Sequence, residues 1–214
     1  MTQDSLTAGP LYLPPSVYDE IVAHARSGKP EEICGILRGR GGQTKALYRA
    51  RNVAADKIKN YAVDAQTLLL QFDFEDAGDE MIAVYHSHPV SPAYPSATDA
   101  WNAHYPDSLY VICSLQDDNA PDVRAFSLIA HTPALDASAL RTRLTFTEAR
   151  PGLFAHFQAA DAPLPPELAH LTSETAPPFY LVRFDAPEDD RPAPLRLVTV
   201  REHPVRIEDA MNAD

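Results

Sequence analysis

Cationic residues are scarce: 18 Lys and Arg stand against 30 Asp and Glu, giving a net charge of -12 at pH 7. No Lys/Arg cluster interrupts that balance to form a phosphate-tracking stripe, so nucleic acid is not an expected partner. Cysteine is scarcer still, with Cys34 and Cys113 alone. Each lies in an apolar run (EICGIL and LYVICSL), where a buried free thiol behaves as a small hydrophobe. A Cys34–Cys113 disulfide stays open at this point, because sequence does not supply the Cα separation that decides it. Long apolar runs are missing: none approaches the roughly 18 residues of a membrane span, and MTQDSLTAGP lacks a basic segment followed by an apolar one. The expectation is a cytoplasmic protein with no membrane partner.

What is present is ordinary for a folded chain: 214 residues, 45% hydrophobic and 22% charged, enough to bury a core in one domain or in one domain plus an appendage. PPSVYDEIVAHARSGKP places Val17, Ile21, Val22 and Ala25 on one helical face, with prolines at its entry and Gly28 at its exit. ICGILRGR and KALYRARNV read as a strand pair turning at Gly41-Gly42. A second helix is predicted over residues 64–76, capped by Asp64, with Leu68, Leu69, Phe72 and Ala65 facing inward. EMIAVYHSH is a strand ending at Pro89, SATDAWNAH a short helix, and SLYVICSL and VRAFSLI two more strands.

This alternation predicts an α/β fold, a mixed β-sheet flanked by helices, over residues 1–131. Beyond it, proline-rich stretches separate the candidate strands RTRLTFTE, FYLVRFD and PLRLVTVRE and a weak helix near GLFAHFQAA. Residues 132–214 are expected to be a β-rich C-terminal extension that packs on the first domain or in a homodimer interface.

The chemistry concentrates in HSHPVSPAYPSATD. His86 and His88 stand two apart at a strand end, so the pleat sends both imidazoles to one face. Ser96 stands at an N-cap position, and Asp99 falls in the first turn of the next helix, within reach of the strand end. A histidine pair is often solvent-facing and SATD is also a plain helix cap, but a proline-rich loop of fixed length joins the two. Two imidazoles and one carboxylate are the ligand set of a catalytic zinc that keeps its fourth position for water, one ion per chain. The other six histidines show no ligand spacing. Tyr94, in the connecting loop, is either a packing residue or a substrate contact.

His86, His88, Pro89, Ser96 and Asp99 together spell H-x-H-P, six residues, S-x-x-D, which resembles the signature of the JAMM (MPN-plus) metalloproteases. That family also places a glutamate upstream in an E-x-C-G context, matched by Glu32-Ile33-Cys34-Gly35. Its neighbour Glu31 should point to the other side of an extended backbone. The resemblance covers about Leu11 to Ile129. It implies the MPN/JAB fold, which is cytidine-deaminase-like, with His86, His88 and Asp99 as zinc ligands, Glu32 as proton carrier and Ser96 as oxyanion donor. It further implies hydrolysis of isopeptide or peptide bonds after the tail of a ubiquitin-like protein. The short segment after Asp99 leaves no room for a long chain-gripping insertion. Compact members of this kind resemble those that process sulfur-carrier proteins of the ThiS and MoaD type, whose tails end in two glycines. Two other classes stand beside this one: a zinc amidohydrolase of small peptides or amides, and a metal-free scaffold module.

Overall fold

The structure is a computed structural model, and it describes residues 9–131, 140, 142–168, 177–185 and 195–208. Elements are numbered in chain order. Pro15 sits at the start of α1 (Pro15–Gly28), where its missing N–H has no helical partner to lose. Val17, Ile21, Val22 and Ala25 are its buried residues, as the sequence spacing predicts. β2 (Cys34–Arg40) and β3 (Gln43–Ala50) form the expected antiparallel hairpin. Its turn residues Gly41 and Gly42 have φ of 56° and 82°, a left-handed conformation that glycine adopts without a Cβ penalty.

Two compact units are defined: Met1–Tyr94 with Asp107–Ser127 and Glu202–Asp214, and Pro95–Pro106 with Leu128–Arg201. In the first, β4 (Glu80–His88) is flanked by β2 on one side and β5 (Leu109–Ser114) on the other. β2 pairs with β4 antiparallel and β4 with β5 parallel, so the sheet is mixed. The order runs outward from β3 through β1 (Leu11–Leu13) to β11 (Val205–Ile207), and from β5 to β6 (Asp122–His131). Cross-strand partners share a face. Leu37, Ala83 and Leu109 align on the face covered by α1, within a core that includes Leu11, Ile21, Tyr85 and Val111.

Ile36, Tyr48 and Val84 align on the opposite face, and there α2 (Ala65–Asp76) packs through Phe74, whose ring lies 5.0 Å from that of Tyr48. Asp64 caps α2 as predicted, accepting from the Thr67 amide. The predicted inward face is wrong at three of its four positions: Leu69 and Phe72 are 59% and 56% exposed and Ala65 is also exposed, while Leu68 is partly buried and Phe74 is the buried residue. Apolar side chains occur around most of this helix, so contact with the sheet rather than periodicity selects the face.

The second unit contains the antiparallel run of β10 (Leu195–His203), β9 (Phe179–Phe184), β8 (Leu153–Gln158) and β7 (Thr147–Arg150). Leu140, Leu144, Leu168, Phe179, Leu181, Leu195 and Leu197 form its core. The segment GLFAHFQAA, expected to be helical, is strand β8, because it pairs along its whole length with β9. Of RTRLTFTE only the last residues are extended, and residues 142–143 are helical. Cys34 and Cys113 are free and buried, on β2 and β5 with β4 between them. Among the described residues no helix is long and apolar enough to cross a membrane.

Candidate metal centre

β4 is buried from Met81 to its end. Cys34 of β2 opposes His86, and Ile112 and Ser114 of β5 oppose His86 and His88. The two imidazoles therefore project from the same face, and their Nε2 atoms lie 3.1 Å apart. His86 is fully buried and His88 4% exposed.

The remaining ring atoms explain why these nitrogens converge. His88 Nδ1 lies 2.7 Å from the carbonyl oxygen of Pro92, which can only accept, so Nδ1 carries the proton and Nε2 keeps its lone pair for a ligand role. Tyr61 stacks on His86, with centroids 4.1 Å apart and planes at 18°. The loop after Pro89 is tied down by Ser114, whose hydroxyl donates to Ser91 O at 2.6 Å.

Beyond the loop, α3 (Ala97–Trp101) starts with Ser96 as its N-cap. The Ser96 hydroxyl accepts from the Asp99 amide at 3.1 Å, and the Ser96 amide donates to Asp99 Oδ2 at 2.7 Å. This reciprocal capping box fixes the Asp99 carboxylate, which is 5% exposed. Ligand-type atoms of His86, His88 and Asp99 all lie within 4.8 Å of one another, and this is the group of metal-ligating type found among the described residues. Two imidazoles sharing a metal at about 2.0–2.1 Å in tetrahedral geometry would have nitrogens roughly 3.3 Å apart, close to the spacing here. The donor set thus fits a first-row divalent metal.

Glu32 lies two residues before β2, buried at 8% exposure, whereas Glu31 is exposed and faces Lys57 at 4.0 Å. Contact with β4 extends one residue before the start of β2, where Ser87 N donates to Ile33 O and Ile33 N to Ser87 Oγ. Glu32 is not part of the metal-ligating group. Its backbone is held by Asn52, whose Nδ2 donates to Glu32 O at 2.8 Å and to Asn60 O at 3.0 Å. Neither Asn52 nor Tyr61 stands out in the sequence, because their roles depend on how residues 52–62 fold back and no fixed spacing to the ligands encodes that.

Tyr94 is half-buried, with its ring edge-on to Phe126 at 5.4 Å, and burial raises its hydroxyl pKa. Cys34 is also outside the group, its thiol pushed up to about 12 by burial. Three other described histidines have hydrogen-bond partners of their own: His24 with Tyr85, His156 with Thr145 O, and His203 with Gly9 O and Ser127. His170 lies outside the described residues.

A family model described as prokaryotic homologs of the JAB domain matches residues 14–129. The chain is similar to a desampylase of Haloferax volcanii, 38% identical over 116 residues, covering 51% of this chain and 84% of that protein. It is also similar to a CysO-cysteine peptidase of Mycobacterium bovis, 33% identical over 111 residues, covering 51% of this chain and 76% of that protein. A solution structure from Desulfitobacterium hafniense matches with 32% identity and a TM-score of 0.49, covering 55% of this chain and 83% of that one. With the family model spanning more than half of its length, the chain belongs to the prokaryotic homologs of the JAB domain.

Proposed function

We propose that this chain is a zinc-dependent peptidase or isopeptidase that hydrolyses the amide bond following the Gly-Gly tail of a ubiquitin-like or sulfur-carrier protein. The observation that carries the reading is the convergence of His86, His88 and Asp99, with His88 Nδ1 committed to Pro92 O and Asp99 held by its capping box. Similarity to proteins named for desampylase and CysO-cysteine peptidase activity supports the substrate class. In this reading the catalytic residues lie within 1–131, with 132–214 as an extension.

When bound, zinc supplies a Lewis acid for the scissile carbonyl and lowers the pKa of water from 15.7 to roughly 7. Glu32, buried at the entry to β2, takes the proton from the attacking water and returns it to the leaving amine. Ser96 accepts from the Asp99 amide through its oxygen, which leaves its own O–H free in principle to donate to the developing oxyanion. The two roles are compatible. Tyr94, in the loop between the ligands, contacts the incoming tail.

Elemental analysis of the purified full chain should find one zinc per chain. Glu32→Gln should keep that zinc and the fold while losing hydrolysis of a Gly-Gly-tailed fusion by roughly 10²–10⁴-fold, and Glu31→Gln should change little. A folded protein that does not bind zinc on titration would end the enzyme reading. Turnover of small amides with no preference for the tailed fusion would replace the substrate assignment with a small-amide hydrolase.

A further inference from the structure

Asp99 and Ser96 lie on or beside a helix of five residues, and helices this short are not stable by themselves in water. Something outside the helix must hold it. At its entry, the Tyr180 hydroxyl donates to Pro95 O at 2.8 Å, one residue before the N-cap. At its exit, the guanidinium of Arg196 donates through Nη1 to Trp101 O and through Nη2 to Ala103 O, the latter at 2.9 Å. These are carbonyls at the end of a helix, where no further helical amide arrives to satisfy them.

The two anchors stand on one ribbon face. In the β9–β10 register Arg196 opposes Val182 and Val198 opposes Tyr180, so strand alternation puts Tyr180, Val182, Phe184 and Arg196 on the same side. Trp101 packs against this face, with its ring 6.1 Å from that of Phe184 and the Arg196 guanidinium 5.6 Å over it. Tyr180, Phe184 and Arg196 all lie beyond residues 14–129, the part of the chain that the family model matches.

We propose that Tyr180 and Arg196 are positioning residues that hold α3 from both ends and so set the orientation of the Asp99 carboxylate and the Ser96 hydroxyl. The inference rests on the reading of Asp99 as a metal ligand. It gives the strands after residue 131 a role in the reaction without contact with substrate. Partners that orient a metal ligand typically contribute roughly 10–100-fold to metal affinity or activity.

The test uses the full chain loaded with zinc. Tyr180→Phe removes one hydroxyl, and Arg196→Met removes both donors while keeping most of the apolar stem. Zinc affinity is read by competition with a chelator, kcat and KM on a Gly-Gly-tailed fusion, and stability by urea titration. Arg196→Met should weaken zinc binding or lower kcat by about 10-fold or more with KM little changed, Tyr180→Phe should do so by less, and Arg196→Lys should recover part of the loss. Thr199→Val is the control, since that hydroxyl donates to Ile129 O at 3.3 Å, away from α3. If Arg196→Met and Thr199→Val both merely lower stability and leave zinc affinity and kcat as in the unsubstituted protein, the positioning role is overturned. Asp99→Asn separates the two ideas: unchanged zinc binding there would sink the ligand reading itself. Weakened binding there, with Tyr180→Phe and Arg196→Met unaffected, would sink the positioning inference alone.

Discussion

His24 illustrates how one residue outside the candidate metal centre sets a condition on the whole protein. It lies half-buried on α1, its Nδ1 3.0 Å from the hydroxyl of the fully buried Tyr85, next in sequence to His86. Burial, and secondarily Arg49, lower its pKa from 6.5 to about 4. Between these values the unfolded chain binds a proton that the folded protein does not. The stability associated with neutral His24 is therefore complete above about pH 6.5 and is lost on acidification towards pH 4. His24→Gln can keep a hydrogen bond to Tyr85 without titrating. The unfolding free energy from urea titration should fall less between pH 7 and pH 4.5 for this variant than for the unsubstituted protein, by an amount of order 1–2 kcal/mol once solvent screening of this half-buried ring is allowed for. Equal acid loss in both would assign the dependence to other groups. At this scale the proposed metal ligands His86, His88 and Asp99 are legible in sequence because the pleat and the capping box turn fixed spacings into fixed directions. His24, Asn52, Tyr61, Tyr180 and Arg196 are not, because each acts on a partner that only the fold brings near.

At the scale of elements, α2 is the place where pattern and packing part. Phe74 is buried, with Tyr48 at 5.0 Å and the Arg38 guanidinium 5.5 Å over its ring, while Leu69 and Phe72 face outward. Phe74→Ala should cost about 3 kcal/mol, within the usual range for a buried aromatic, and Leu69→Ser should stay within about 0.5 kcal/mol. Urea titration of the two variants checks the face assignment, since comparable losses would contradict it. α1 is readable from sequence because polar residues occupy most of its exposed positions around Val17, Ile21, Val22 and Ala25. α2 offers Leu68, Leu69, Leu70, Phe72 and Phe74, which leave more than one plausible apolar face. β8 misleads for a related reason. Phe154 and Phe157 lie on opposite sides, one beneath Arg183 and the other against Tyr180, so the alternation of a half-buried strand is masked.

At the scale of the whole chain, the far C-terminal residues belong with the N-terminal ones. β11 pairs in parallel with β1, Leu11 N donates to Pro204 O at 2.9 Å, and Glu208 N donates to Leu13 O at 3.0 Å. His203 is buried with Nδ1 3.1 Å from Gly9 O and Nε2 3.1 Å from Ser127 Oγ, so Nδ1 donates to the carbonyl and Nε2 accepts from the hydroxyl. Arg124 pairs with Glu202 nearby. Strands of three residues carry too little pattern to be found from sequence, and β1 has a partner more than 190 positions away. Truncation after Arg201 removes all of these contacts and leaves β1 without that neighbour. At roughly 0.5–1.5 kcal/mol per hydrogen bond, the two backbone bonds of β1 and the two bonds of His203 imply a loss of order 3 kcal/mol, more if the Ser127 hydroxyl becomes buried without a partner. Truncation after His131 removes Tyr180 and Arg196 as well. Comparing the two fragments by urea titration and chelator competition separates the contributions. The shorter cut, after Arg201, should lower stability and spare zinc affinity at permissive temperature, whereas the deeper cut should lower both. A fragment ending at His131 that is as stable as the full chain and binds zinc equally well would show that residues 1–131 hold the centre without help.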